Sequence, residues 1–224
     1  MPNINQLYTP TCKAGDKYLL KLNPLCMTTF TKRTTSLMVH GKDLDNSLAT
    51  LNNEGLLLFP TDTIWSIGCD ATDEIATRRL LRLKPNDQPL EIIVDSVEML
   101  REYVLHLHPR IETLLCYHAR PLSIVFKEVK NLADVLINHP YPIAFRLCQD
   151  DYCRQLISAF GKPVLTTAAT LTSDKIPASF GSICSDVFSV VDYISKFRQE
   201  TNNMEGPAVM VAFDYNGELS FLRE

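Results

Sequence analysis

The stretch FPTDTIWSIG (residues 59–68) decides how the rest of this sequence is interpreted. An apolar run, GLLLF (55–59), leads into it and predicts a buried strand that stops at Pro60. Thr61 and Thr63 then flank an aspartate before apolar residues return. Hydroxyl groups at the end of a buried strand either face a ligand or cap the next turn of the backbone. The residues alone leave both alternatives open for these threonines.

The composition is that of an ordinary globular protein of 224 residues. Apolar residues make up 46% and charged residues 21% of the chain, and the net charge is −4. This balance argues against a surface coated in basic residues, although a local basic cleft is compatible with it. A chain of this length fits one large domain, and no linker-like stretch divides it. We therefore expect a single domain over residues 1–224.

Cysteine usage and hydropathy predict a cytoplasmic protein. The seven cysteines form no CxxC pair and leave an odd one over, which suits free thiols in a reducing compartment. The histidines show no ligand spacing such as HExxH, so the sequence predicts no metal site. No run approaches the roughly 18 apolar residues that a membrane span needs. The opening forty residues also lack the basic and apolar regions of a signal peptide.

Helical and strand patterns alternate along the chain, which indicates an α/β domain with a mixed sheet. Gly55 is predicted to end the first helix, Asp95 and Glu98 to form a capping box, and Pro109 to begin a helix. The predicted helices are 43–53, 72–84, 95–107, 109–118, 131–137 and 151–161. The predicted strands are 55–59, 90–94, 122–126, 142–147 and 163–169, followed by a closing hairpin that turns at Asn216 and Gly217.

A family resemblance rests on PTDTIWSIGCDA (60–71), which resembles the P-T-[DE]-T-x-Y-G-L-G-x-D-A signature of the YrdC/YciO family. It extends from about residue 43 to residue 224, and residues 1–42 show no clear match. The resemblance implies a YrdC-like twisted mixed sheet, flanked by helices, that forms a concave cavity. Further landmarks follow in family order, namely Lys84, RPLSIVFK (120–127), IAFRL (143–147), VLTTAATLTS (164–173) and GPAVMVAFDYNGELSFLR (206–223).

The resemblance also implies a function. Members of this family make threonylcarbamoyl-AMP from threonine, bicarbonate and ATP, the first stage of threonylcarbamoyladenosine formation in tRNA. An active member would be a nucleotidyltransferase with ATP and Mg²⁺ as substrates, and no tightly bound cofactor is expected. Because members have been described as RNA-binding, tRNA or double-stranded RNA is an expected partner. A membrane is not.

The site that the resemblance implies gathers residues from strand and helix ends. A cavity that collects carboxylate and phosphate groups needs cations that stay charged and hydroxyl donors held in place. The expected substrate-binding residues are Thr61, Thr63, Ser123 and Arg146, and the expected nucleotide-binding residues are Lys84, Thr167 and Thr170.

Arg146 is the most informative of these residues because it interrupts an apolar strand. A buried arginine without a partner is costly, so either a carboxylate pairs with it or it faces a cavity. The family pattern favours the cavity, since the guanidinium fork suits carboxylate ligands. Taken alone, Lys84 would more simply complete a helix C-terminus, and Ser123 would be an ordinary strand serine.

Several family positions carry other residues here. Asn86 stands where an arginine is expected, Thr170 where an asparagine is expected, and Ala208 and Val209 replace Ser-Thr. A charged hydrogen bond contributes roughly 1.5–3 kcal/mol and a neutral one about 1 kcal/mol, so these changes weaken nucleotide binding by several kcal/mol. Two functions follow: a threonylcarbamoyl-AMP synthase with weakened activity, or a diverged non-catalytic paralogue that binds nucleotide or RNA.

Overall fold

The computed structural model of the protein describes residues 41–83, 90–171, 176–201, 206–213 and 219–223. Its helices are α1 Gly41–Asn52, α2 Glu74–Arg82, α3 Val97–Tyr103, α4 Pro109–Tyr117, α5 Asp134–Ile137, α6 Asp151–Phe160 and α7 Ser185–Val190. Its strands are β1 Leu57–Pro60, β2 Trp65–Asp70, β3 Glu91–Val94, β4 Leu122–Phe126, β5 Ile143–Leu147, β6 Val164–Ala168, β7 Tyr193–Ile194, β8 Val209–Phe213 and β9 Leu219–Arg223. A 3₁₀ turn covers Phe180–Ser182.

The strands of the described ranges form a single mixed sheet in the order β7-β1-β2-β6-β3-β5-β4-β8-β9. The pairs β7–β1, β3–β5 and β4–β8 are parallel, and the other neighbours are antiparallel. The predicted α/β class, with a twisted mixed sheet flanked by helices, is confirmed. Because some neighbouring strands, such as β2 and β6 or β3 and β6, are distant in sequence, the centre of the sheet collects side chains from several segments of the chain.

One face of the sheet is largely apolar. Alternation along each strand sends every second side chain to this face. These side chains belong to the largest buried cluster, together with residues of the helices that pack on it. Representative members are Leu58 of β1, Ile67 of β2, Ile92 of β3, Ile124 of β4 and Phe145 of β5.

The opposite face changes character across the sheet. Under α1 and α6 it is apolar, with Leu57, Phe59 and Ile93 packed against residues of α6 such as Leu156. Further along the same face the side chains become polar, and the strand register pairs Thr166 with Glu91 and Ser123 with Arg146. These polar residues are Thr166 of β6, Glu91 of β3, Arg146 of β5 and Ser123 of β4.

The end of α1 differs from its prediction in one detail. The Gly55 N–H donates to Thr50 O at 2.9 Å, which closes the helix. The residue in the left-handed conformation, however, is Glu54, with φ of 58°. Glycine is needed at position 55 for space instead, because a Cβ there would lie 2.6 Å from Thr50 Cγ2.

The predicted capping box of α3 is wrong by one residue. Ser96 is the N-cap, and its hydroxyl oxygen accepts the Met99 N–H at 3.2 Å. The Asp95 carboxylate accepts the Ser96 hydroxyl hydrogen at 2.6 Å and so supports the cap from outside. The helix also ends at Tyr103, before the predicted residue 107. Pro109 begins α4 as predicted.

Three elements were not predicted: β2, α7 and β7. The pairing of β8 with β9 is antiparallel, as a hairpin requires, but the predicted turn at Asn216 and Gly217 lies outside the described residues. The cysteines in the described ranges are free thiols, namely Cys69, Cys116, Cys148, Cys153 and Cys184. None of the helices in the described part of the chain has the length and apolar character that a membrane crossing requires.

Candidate functional site

The turn 61–64 joins β1 to β2 and forms one wall of the site. The Thr61 hydroxyl donates to Ile64 O at 2.8 Å and accepts the N–H groups of Thr63 and Ile64, both at 3.2 Å. The Thr63 hydroxyl lies 3.0 Å from that of Thr61. Both hydroxyls therefore brace the turn, which is the capping alternative, and they hold Asp62 near its apex.

Arg146 lies on β5 with only 1% of its side chain exposed. Its Nη1 pairs with Asp62 Oδ1, and its Nε lies 3.4 Å from Glu91 Oε2. Burial lowers the pKa of Arg146, but arginine titrates from so high a value that the guanidinium keeps its charge. Of the two alternatives for this residue, the structure has the one in which carboxylates partner the arginine.

Glu91 links four strands through a single carboxylate. Its Oε1 accepts hydrogen bonds from the Ser123 hydroxyl at 3.0 Å and from Arg223 Nη2 at 2.6 Å. Its Oε2 faces Arg146 on the neighbouring strand. Arg223 is fixed in turn by a bond from its Nε to Ala208 O at 2.7 Å. Two carboxylates thus meet two guanidiniums, and we call Asp62, Glu91, Arg146 and Arg223 the ion cluster.

Of the predicted substrate-binding residues, Arg146 belongs to the ion cluster and the other three lie next to its members. Register places Ser123 directly beside Arg146, and Ser123 is completely buried. Thr61 and Thr63 flank Asp62, whose carboxylate reaches Arg146 across the sheet. Asp62 therefore links Thr61 and Thr63 to Arg146, and Arg146 pairs with Ser123, although these segments are far apart in the sequence.

The predicted nucleotide-binding residues are less closely grouped. Thr167 pairs with Ile67 and points to the apolar-core face. Its neighbour Thr166 shares the face of Arg146 instead, where its hydroxyl donates to Glu91 O at 3.1 Å. Thr170 follows the end of β6 and is buried. Lys84 and Asn86 lie outside the described residues.

Three members of the ion cluster were missed by the sequence interpretation: Asp62, Glu91 and Arg223. A signal was available for each one. Asp62 is the acidic position of the signature itself, and Arg223 ends the last matched segment. Glu91 is a charge at the start of an apolar strand, and alternation from Ile93 assigns it to the same face as that residue.

Two cavities bounded by described residues lie away from the ion cluster. One cavity, of about 470 Å³, is bounded by the segment before α4 and by the ends of β4 and β8, including His106, His108 and Phe213. Another, of about 640 Å³, lies beside α6 and includes Asp95 and Arg154. Within the described ranges, no group of three His, Cys, Asp or Glu residues could hold a metal ion.

The fold and the site together define an α/β protein whose mixed sheet buries a guanidinium suited to carboxylates. A family model described as "Telomere recombination", which covers Sua5, YciO and YrdC proteins, matches residues 49–224. The chain belongs to the Sua5/YciO/YrdC family, and the family prediction is confirmed.

Curated relatives carry the name threonylcarbamoyl-AMP synthase. One, from Klebsiella pneumoniae, is 30% identical over 172 residues, which are 71% of this chain and 88% of the relative. Another, from Psychromonas ingrahamii, is 28% identical over 142 residues, which are 61% of this chain and 74% of the relative.

Solved structures with the same fold include P. abyssi Sua5 complexed with L-threonine, with a TM-score of 0.69 and 21% identity. That match covers 80% of this chain but only 53% of the Sua5 chain, so this protein spans about half the length of that relative. E. coli YciO has a TM-score of 0.66 and 18% identity, and the match covers 82% of this chain and 89% of YciO. At these identities the likeness establishes the fold.

Proposed function

We propose that this protein joins threonine, bicarbonate and ATP into threonylcarbamoyl-AMP, for the modification of tRNA. The observation that carries the proposal is the buried guanidinium of Arg146, with the Ser123 hydroxyl beside it and the threonine turn opposite it. The names of the curated relatives, which are 26–30% identical to the chain, support the same reaction. Thr166, Glu91, Arg146 and Ser123 form a polar strip on a buried sheet face, and such a strip is costly unless a ligand or an internal partner uses it.

The proposed reaction has two steps, and each candidate residue would bind one of the reacting groups. The threonine amine attacks the carbon of bicarbonate and water leaves, which gives a carbamate. An oxygen of this carbamate attacks the α-phosphorus of ATP, and pyrophosphate leaves. Arg146 would hold the threonine carboxylate with the Ser123 hydroxyl beside it, and Thr61 and Thr63 would contribute to substrate binding by fixing the turn that faces the guanidinium. The residues proposed for the phosphates are Lys84, Thr170 and, on the other face, Thr167.

Pyrophosphate release tests this proposal. With ATP, Mg²⁺ and bicarbonate present, release should depend on threonine. Arg146→Ala should lower kcat/KM by about 10²- to 10⁴-fold. It removes the guanidinium and with it two charged hydrogen bonds to the threonine carboxylate, of roughly 1.5–3 kcal/mol each. Arg101→Ala is the matched control, since it removes a surface arginine that is also paired with a carboxylate, Glu112. Turnover that persists in Arg146→Ala would refute the role of this residue.

A second function is favoured by a specific observation: the described ion cluster has no net charge, since two acidic side chains balance two basic ones. A triphosphate site needs surplus positive charge. The alternative is therefore a non-catalytic paralogue that binds nucleotide or RNA. It would show binding without pyrophosphate release, and RNA affinity would fall steeply with added salt. In α2, Arg78 pairs with Glu74 and Arg79 with Asp192, and Arg82 in the last turn is exposed.

A further inference from the structure

Asp62 occupies the place on Arg146 that a ligand carboxylate would need. Its Oδ1 pairs with Arg146 Nη1, and its Oδ2 accepts the Gln149 N–H at 3.4 Å. Only 6% of its side chain is exposed, so the pair is shielded from water. The carboxylate of the chain itself therefore makes the contact that the proposed function assigns to threonine.

The remaining contact to Arg146 from a carboxylate is weaker. Glu91 faces the Nε of this arginine at 3.4 Å, and its other oxygen is already shared by Ser123 and Arg223. Removing Asp62 with nothing in its place would leave a buried guanidinium poorly compensated. Exchanging it for another carboxylate would keep a negative charge on the guanidinium, since the same kind of charged hydrogen bond can form to Nη1.

The Asp62 side chain is also placed where it can rotate away from Arg146. It lies near the apex of the turn 61–64, and the bracing bonds of that turn run between Thr61, Thr63 and Ile64. The hydrogen bonds that tie the Asp62 side chain to the sheet are those to Arg146 and Gln149. A rotation of this one side chain therefore opens the guanidinium without undoing the turn.

We propose that Asp62 is an internal competitor for the carboxylate site on Arg146, and that a small carboxylate enters by displacing it. The proposal rests on the proposed function only for the identity of the ligand as threonine. The exchange chemistry applies to any small carboxylate. It makes binding to the native protein weaker than the buried arginine alone would give, and it couples ligand entry to release of the Asp62 side chain.

Chemical rescue with formate tests this idea. Asp62→Ala removes the carboxylate and leaves space, so the unfolding midpoint should fall by about 10 °C. Sodium formate should then restore a saturable part of that loss, whereas sodium chloride at equal ionic strength should not. Asp62→Asn is the matched control, because its amide fills the space and should prevent rescue. Arg146→Met in the Asp62→Ala background should also abolish the formate response.

A measurement on the unsubstituted protein covers the case in which Asp62→Ala does not fold. Formate at high concentration should increase hydrogen exchange at the Gln149 N–H severalfold relative to chloride, because Asp62 no longer accepts from it. The idea is overturned if Asp62→Ala folds but ignores formate, if Asp62→Asn responds equally, or if Gln149 exchange is unchanged by formate. None of these assays contains ATP or threonine. A formate response here, together with no threonine-dependent pyrophosphate release in the turnover assay, would therefore retain this inference and reject the proposed reaction.

Discussion

Glu91 shows how much can depend on one side chain. Its carboxylate accepts from one hydroxyl and faces two guanidiniums, and these donors come from three other strands. Charged hydrogen bonds are the strong ones, and each becomes more important where water is excluded. The same residue also balances the charge of Arg146 and Arg223, so it bears on both stability and anion binding.

Glu91→Gln should lower the free energy of unfolding by about 1.5–3 kcal/mol, because it keeps the shape of the side chain but removes the charge that both arginines face. Urea unfolding measures the loss. Glu98→Gln is the control, since Glu98 is exposed on α3, and its effect should stay within about 0.5 kcal/mol. Equal effects of the two substitutions would show that the charge of Glu91 is not used.

The sequence could single out candidate residues that belong to a recognisable pattern, such as Thr61, Ser123 and Arg146. It could not supply their partners. Glu91 meets Arg146 because β3 and β5 pair in parallel in one register, and no local pattern specifies that register. For the same reason the sequence left open whether Arg146 was paired.

The β1–β2 hairpin is the element that places the signature turn. Within it, Gly68 of β2 lies opposite Leu57, next to Phe59 of β1 and Val164 of β6. A Cβ at this position would lie 2.6 Å from Phe59 Cε1 and 3.0 Å from Val164 Cγ1. Phe59 is fully buried, so its ring has little room to move. The glycine therefore permits an aromatic ring to lie across the strand.

Gly68→Ala should destabilise the protein by about 1–3 kcal/mol, because it overpacks a closed part of the core. Adding Phe59→Leu, which removes the obstructing ring edge, should be less costly in the Gly68→Ala background than alone. Thermal unfolding of both single variants and the double variant gives the coupling. Strict additivity would mean that the two side chains do not collide.

Most elements could be predicted because each was a compact apolar or amphipathic run with clear ends. β2 was missed because WSIGCD combines polar residues and a glycine with apolar ones, and it is a strand only because β1 and β6 pair with it. β7 is two residues long and depends wholly on β1. The α3 cap was misplaced because Asp95 and Ser96 are both good capping residues.

At the scale of the whole molecule, buried groups that can ionise make stability sensitive to high pH. Burial raises the pKa of the Cys69 and Cys153 thiols and of the Tyr152 hydroxyl above their ordinary values. In the unfolded chain these groups ionise near pH 8.5 for cysteine and 10 for tyrosine. Their contribution is complete below those values and is lost as the pH rises, because the unfolded state alone releases protons.

Urea unfolding under reducing conditions should therefore show stability falling above about pH 9, by about 1.4 kcal/mol per pH unit for each group. Cys69→Ala should reduce this slope by one such contribution, whatever it does to stability at pH 7. An unchanged slope in Cys69→Ala would mean that the Cys69 thiol ionises equally in both states.

The position of Arg223 on β9 has a consequence for protein synthesis. Its partner Glu91 is synthesised 132 residues earlier, so this ion pair cannot form until Arg223 has been added to the chain. A nascent chain that has not reached β9 holds Glu91 with Ser123 and Arg146 alone, and β8 has no outer neighbour to pair with. Premature termination or trimming that removes the last strand would therefore leave the ion cluster with one guanidinium fewer, so only translation through residue 223 completes the cluster.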